Sequence, residues 1–153
     1  MSRWIGVDPG KSGGLALISN GTVEVAPLGK MTRQDIYEWL CLQRRSDYPD
    51  PVRAVIEKVH AMPGQGVTSM FNFGVSYGEL RMALVAASIS FEEVTPGRWQ
   101  QAVGVRWPKG TSKPERKRLL KQRAQELFPE IQVTLATADA LLIAEYCRRT
   151  NGG

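Results

Sequence analysis

Histidine and cysteine are nearly absent from this chain: one His and two Cys in 153 residues. A zinc site of the finger type needs four such ligands at short spacings and is therefore excluded. Cys41 and Cys147 fall inside helix-like segments with no ligand spacing, and read as buried free thiols of a reducing compartment. No apolar run approaches the roughly 20 residues of a membrane-spanning helix. The opening MSRWIGVDPG reaches an acid too soon for a signal peptide, so a cytoplasmic location without a membrane partner is expected. Internal repeats and low-complexity segments are lacking as well. DPGKSGG looks suited to phosphate, but Walker A spacing and a second glycine-rich loop are missing, and the chain is too short for two lobes. An ATP-binding actin-like fold and a nucleotide cofactor are accordingly not expected.

The length suits one domain, residues 1–150, with 151–153 as a short flexible tail. Basic residues outnumber acidic ones, 20 to 15, for a net charge of +5. The surplus is local. Residues 98–123 hold Arg98, Arg106, Lys109, Lys113, Arg116, Lys117, Arg118, Lys121 and Arg123 against Glu115 alone, a larger excess than that of the whole chain. Such a block is the electrostatic signature of a phosphate-backbone partner, although a solvated helix face reads the same way.

Residues 3–8 read as a strand carrying Trp4, Ile5 and Val7, followed by the turn DPGKSGG. Residues 15–19 and 22–26 form a hairpin across Asn20-Gly21. Thr32 caps a helix from 33 to about 45, which SDYPDP ends. Residues 53–57 make a fourth strand, 60–70 a loop rich in glycine and small residues, 73–87 a second helix and 90–94 a fifth strand. Thr95-Pro96 opens a short helix to 103. Ser112-Lys-Pro-Glu115 is a capping box starting a helix to Leu127, and Thr137 caps a last helix over 138–149. Three hairpin-linked strands followed by strand–helix units predict an α/β fold, a mixed sheet with helices on both faces.

Three acids stand where folding does not ask for them. Asp8 and Glu57 end apolar strands, and Asp139 sits in the first turn of the last helix among Ala138, Ala140, Leu141 and Leu142. A carboxylate at the edge of an apolar interior carries a desolvation penalty unless a cation or donors compensate it. Oxygen donors without a His/Cys cluster suit Mg²⁺ or Mn²⁺ better than Zn²⁺. Each acid also has a plainer reading: Asp8 as a turn former, Glu57 as a solvated strand end, Asp139 as a favourable charge at a helix N-terminus.

Several segments resemble one family. GVDPGKSGGLALI resembles the opening of RuvC resolvases, whose first strand ends in a catalytic Asp followed by Pro-Gly. IEKVHAMPGQG resembles their second motif, with Glu57 in the catalytic place, and FGVSYGEL the Gly-x-x-x-Gly helix behind it. TSKPERK resembles the basic segment before the penultimate helix, and TADALLIAEY the last helix. The motifs keep the family's order and cover nearly the whole chain. The resemblance implies an RNase H-like fold, a five-stranded mixed sheet whose first three strands are an antiparallel meander. It implies a homodimer that nicks a four-way (Holliday) DNA junction symmetrically, with two Mg²⁺ ions per site (Mn²⁺ substituting) held by Asp8, Glu57 and Asp139. Lys113 matches a family lysine beside the scissile phosphate. His60, Arg98, Lys109, Ser112, Lys113, Arg116, Lys117 and Lys121 are the expected DNA contacts. The apolar residues of helix 73–87 are the expected dimer contact, and the compact loops look phage-like.

The chain departs from the family's pattern at three places. Ala136 stands where a fourth acid or a histidine is usual, one helical turn before Asp139. Either water fills that place, or the remaining acids suffice, or the chain is a catalytically impaired junction-binding form. His60 replaces an aromatic that probes the junction centre, and Trp99 replaces a lysine. Phe71 and Phe73 read as core or dimer residues. A general branched-DNA or RNA nuclease of the same fold uses the same acids and is the alternative activity.

Overall fold

The computed structural model describes residues 2–45 and 50–152. Ser46 to Pro49, within the expected helix break, lie outside the described residues. The elements are β1 (Arg3–Asp8), β2 (Gly14–Ser19), β3 (Thr22–Pro27), a 3-10 turn (Leu28–Lys30), α1 (Arg33–Gln43), β4 (Val52–Glu57), α2 (Val67–Ala86), β5 (Ser90–Val94), α3 (Pro96–Ala102), α4 (Lys113–Leu127) and α5 (Leu135–Thr150). The sheet runs β3-β2-β1-β4-β5. β1, β2 and β3 pair antiparallel, whereas β4 pairs parallel to β1 and β5 parallel to β4. The meander and the mixed sheet are as expected. Among the described residues no helix is long and apolar enough to cross a membrane.

Period-two alternation sorts the strands' side chains onto two cores. Ile5, Val7, Leu15, Leu17, Ala54 and Ile56 face α1 and α2, meeting Leu40, Leu80 and Leu84. Ala16, Ile18 and Val55 face the other way, toward α3, α4 and α5. α5 is the central helix of that second face, and every residue from Thr137 to Cys147 is buried. It lies so close to β1 that a Cβ on Gly6 would stand 2.1 Å from the Ala140 carbonyl oxygen and 2.3 Å from the Ala144 nitrogen. Only glycine allows this approach.

Three boundaries differ from the sequence reading. α2 starts at Val67 with Gly66 as N-cap, six residues before the expected start. The breakers Pro63, Gly64 and Gly66 end there, and residues 67–72 contain nothing to stop a helix. α5 is capped by Thr134, not Thr137; Thr137 is the third helical residue, and its Oγ1 accepts from the Thr134 nitrogen at 3.2 Å. Asp139 therefore sits beyond the first turn and receives no free helix N–H. In α4, Ser112 Oγ accepts from the Glu115 nitrogen at 3.3 Å, but the Glu115 carboxylate turns to Arg118, so only half of the expected box forms. At the other end of the chain, Asn151 belongs to the fold and not to a loose tail: as C-cap of α5 its Nδ2 donates to the Cys147 carbonyl at 2.8 Å.

Candidate functional site

Strand register brings the first two acids together. Val7 of β1 is paired with Ile56 of β4, so Asp8 and Glu57, each one residue further on, end neighbouring parallel strands at the same edge. Alternation puts both on the α5 face, opposite to Val7 and Ile56. α5 supplies Asp139 from above. Asp8 and Asp139 are only 9 % and 6 % exposed, far below what an unpaired carboxylate normally tolerates.

The three acids are coupled electrostatically. Burial raises the Asp8 carboxyl well above its ordinary value, and the nearby charges of Asp139 and Glu57 raise it further. Glu57 is pushed up to about 7, first by burial, while a hydrogen bond from Trp99 works against the rise. Burial likewise raises Asp139, against the pull of Lys117. The donors are specific. Trp99 Nε1 donates to Glu57 Oε2 at 2.8 Å, and Lys117 Nζ donates to Asp139 Oδ2 at 3.1 Å. Among the described residues no donor reaches the Asp8 carboxylate. Glu57 and Asp139 are thus each held by one partner, and Asp8 by none.

Raised carboxyls have a consequence for stability with a definite sign. Between the ordinary carboxylate range and about 7, the folded chain holds more protons than the unfolded chain. Stability therefore falls as pH rises through that window. In a chelating buffer the thermal midpoint should drop by roughly 5 °C from pH 5 to pH 7.5. A differential scanning fluorimetry series checks this, and a midpoint that rises over the same range would contradict the buried cluster.

Two partners of the acids differ from the sequence reading. Lys117, expected on DNA, is turned inward to Asp139. Trp99, noted only as a departure, is fully buried in the second core and orients Glu57. Its signal was a tryptophan in a short, otherwise polar helix, which nothing in the local pattern links to position 57. Ala136, half-buried at the start of α5, offers no side-chain oxygen.

The basic block divides. Arg118 is bonded to Glu115 at 2.6 Å, and Arg123 to the Val103 carbonyl at 2.8 Å. Arg116 places its guanidinium 5.8 Å from the centre of the Trp107 ring. Ser112 is used as a helix cap. Arg98, Lys109, Lys113 and Lys121 are exposed and have no ion pair among the described residues. Lys113, Lys117 and Lys121 follow one another at four-residue spacing along α4, one stripe leading to the acids. His60 is exposed on the loop after β4 and lines a groove of about 500 Å³ with Met70, Phe71, Phe73 and Tyr77. Phe71 is 71 % exposed, so it is not a core residue of this chain. Phe73 is partly buried beside the loop that follows Asp8, where the Gly10 nitrogen also donates to Ser76 Oγ at 3.1 Å. Gly74 and Gly78, expected to admit a close contact, face open space within the chain.

No protein-family model matches the sequence, and no curated protein matches it either. Solved structures do. Thermus thermophilus RuvC in complex with a Holliday junction substrate matches with a TM-score of 0.61 at 16 % identity, over 99 % of this chain and 97 % of that one. A second Thermus thermophilus RuvC structure gives a TM-score of 0.60 at 16 % identity, over 97 % and 96 %. A sheet ordered β3-β2-β1-β4-β5 between two helical layers, superposing over nearly the full length of both chains, makes this a RuvC-like, RNase H-like fold.

Proposed function

We propose that this protein is a structure-selective endonuclease that cuts four-way DNA junctions by divalent-cation-assisted phosphodiester hydrolysis. The observation that carries this reading is the convergence of buried Asp8 and Asp139 with half-buried Glu57, mutually repelling, at one sheet edge below a basic helix. The likeness to a junction-bound RuvC supports the choice of substrate.

The donor set fits a hard cation: all oxygen, with excess negative charge in a poorly hydrated place. Among the described residues no three such side chains stand close enough to cage an ion alone. Mg²⁺ is commonly held by one or two carboxylates, with water and substrate phosphate completing its shell. Asp8, Glu57 and Asp139 would hold it, with Mn²⁺ as a substitute. When bound, it supplies a more acidic water and charge stabilisation at the phosphate. The chain's own residues do the positioning. Trp99 fixes one Glu57 oxygen and leaves the other free. Asp8, with no donor of its own, is available to both sides of the cluster. Lys113 and Lys121 extend the positive stripe along which a phosphate backbone can run.

Mg²⁺-dependent cleavage of a synthetic four-way junction, with three-way and linear duplexes in parallel and nicks mapped on each strand, tests the proposal. Paired symmetric nicks near the branch point are expected, and none in EDTA. No cleavage of any branched DNA with Mg²⁺ or Mn²⁺ would sink it and leave a junction-binding form, the reading that Ala136 favours. Trp99→Phe keeps the ring but removes the donor that lowers Glu57. Loss of a hydrogen bond that orients a ligand weakens metal binding, so the Mg²⁺ concentration that half-saturates cleavage should rise by roughly tenfold. An unchanged Mg²⁺ requirement would remove Trp99 from the site.

The α2 face bearing Val67, Phe71, Val75, Met82 and Val85 is exposed in one chain. Their spacings of three and four, interrupted only by Gly78, make one apolar stripe of the kind that pairs two helices. A two-fold dimer through it would present two sites to a two-fold junction. A monomer by light scattering at micromolar concentration would count against it.

A further inference from the structure

We propose that in the DNA-free protein the Lys117 ammonium occupies the place of a second cation, so that each chain binds one divalent ion and Lys117 competes with any other. This rests on the nuclease reading above, whose family resemblance implies two ions.

The position of the charge is the first ground. Lys117 Nζ is 3.1 Å from Asp139 Oδ2, and its charge is felt at Asp8 and Glu57 as well. Among the donors in the cluster it alone carries a charge; the Trp99 indole is neutral. Three carboxylates and one ammonium leave two negative charges, which one divalent ion cancels. A second would leave a surplus of two positive charges beside acids that are 9 % and 6 % exposed. Uncompensated charge in such a place is strongly disfavoured.

Ligand supply is the second ground. Ala136, one turn before Asp139 and so on the same side of α5, brings a methyl group. Its carbonyl oxygen is directed at β2, 2.7 Å from where a Cβ on Gly14 would stand. The Asp139 side of the cluster therefore has one carboxylate oxygen already bonded to Lys117 and no oxygen from position 136 to replace it. The Asp8–Glu57 side has no cation bonded to it. The single ion is placed there.

The third ground is that Lys117 can leave. Its side chain is 42 % exposed against 8 % for Asp139, and it reaches in from α4 on a flexible four-carbon stem. An ammonium neutralises charge and donates hydrogen bonds but does not acidify a water. It serves as a counter-ion that holds the acids together until DNA arrives, and a DNA phosphate offers it an alternative partner.

Mn²⁺ titration followed by electron paramagnetic resonance counts bound ions without relying on activity. Wild type without DNA should bind one Mn²⁺ per chain. Lys117→Gln, which keeps a donor to Asp139 but drops the charge, should bind a second, or bind Mn²⁺ at least roughly tenfold more tightly in total. Arg44→Met removes a charge at the opposite end of the sheet and should behave as wild type. Circular dichroism establishes that each variant is folded, and Lys117→Met serves if the glutamine variant is not. Two ions in wild type, or one ion of unchanged affinity in folded Lys117 variants, overturns the proposal while leaving the nuclease reading intact. No Mn²⁺ bound by any variant removes both.

Discussion

Asp8→Asn should bind a four-way junction as tightly as wild type or more tightly, and cut it at least roughly a thousandfold more slowly. The asymmetry follows from where Asp8 sits. It ends the strand beside Glu57, is coupled to both other acids, and has no donor of its own among the described residues. Its charge is therefore not used to hold the fold together. Replacing it by an isosteric amide removes repulsion with Asp139 and Glu57, and the thermal midpoint in EDTA should rise. The same substitution removes the ligand best placed to serve both sides of the site. DNA binding should survive because the phosphate-facing charge lies elsewhere, on Lys113, Lys121, Lys109 and Arg98. Gel-shift affinity, single-turnover cleavage and a melting curve on one preparation check all three parts. Normal cutting by this variant would refute the mechanism.

Gly6→Ala should lower stability by about 3 kcal/mol and abolish cleavage. The added Cβ would meet the backbone of α5 at 2.1 Å and 2.3 Å, and a helix backbone cannot swing aside as a side chain can. Either α5 lifts from β1 or the sheet bends. Both move Asp139, which immediately precedes Ala140, away from Asp8. Urea unfolding gives the stability change, and cleavage by the fraction still folded separates site distortion from unfolding. Gly74→Ala is the contrast: its Cβ meets nothing within 4 Å, and glycine inside a helix is unfavourable. That change should stabilise the monomer by roughly 0.5–1 kcal/mol. If it instead lowers the dimer fraction, the stripe on α2 gains support as the contact.

The sequence alone determined much of this protein. Asn20-Gly21 specified the β2–β3 turn, alternation in residues 3–8 and 15–19 specified strands with two covered faces, and Ser112 and Thr32 announced their helices, because each of these signals is local. The acids were recognisable one by one for the same reason, since a charge at the end of an apolar strand conflicts with its own neighbours. The start of α2 was hidden because its N-cap, Gly66, makes no side-chain cap bond, while Thr68, Ser69 and Asn72, all cap-type residues, lie inside the helix. The true cap of α5 was hidden because Thr134 and Thr137 are both good caps and only packing chooses between them. Tertiary structure alone decided that parallel register sets Asp8 beside Glu57 and that Gly6 lets α5 bring Asp139 onto them. It also decided that Lys117 turns inward while Lys113 and Lys121 face solvent. Those outcomes depend on contacts between residues from 22 positions apart, Lys117 and Asp139, to 138, Gly6 and Ala144, where no local rule of spacing or propensity reaches.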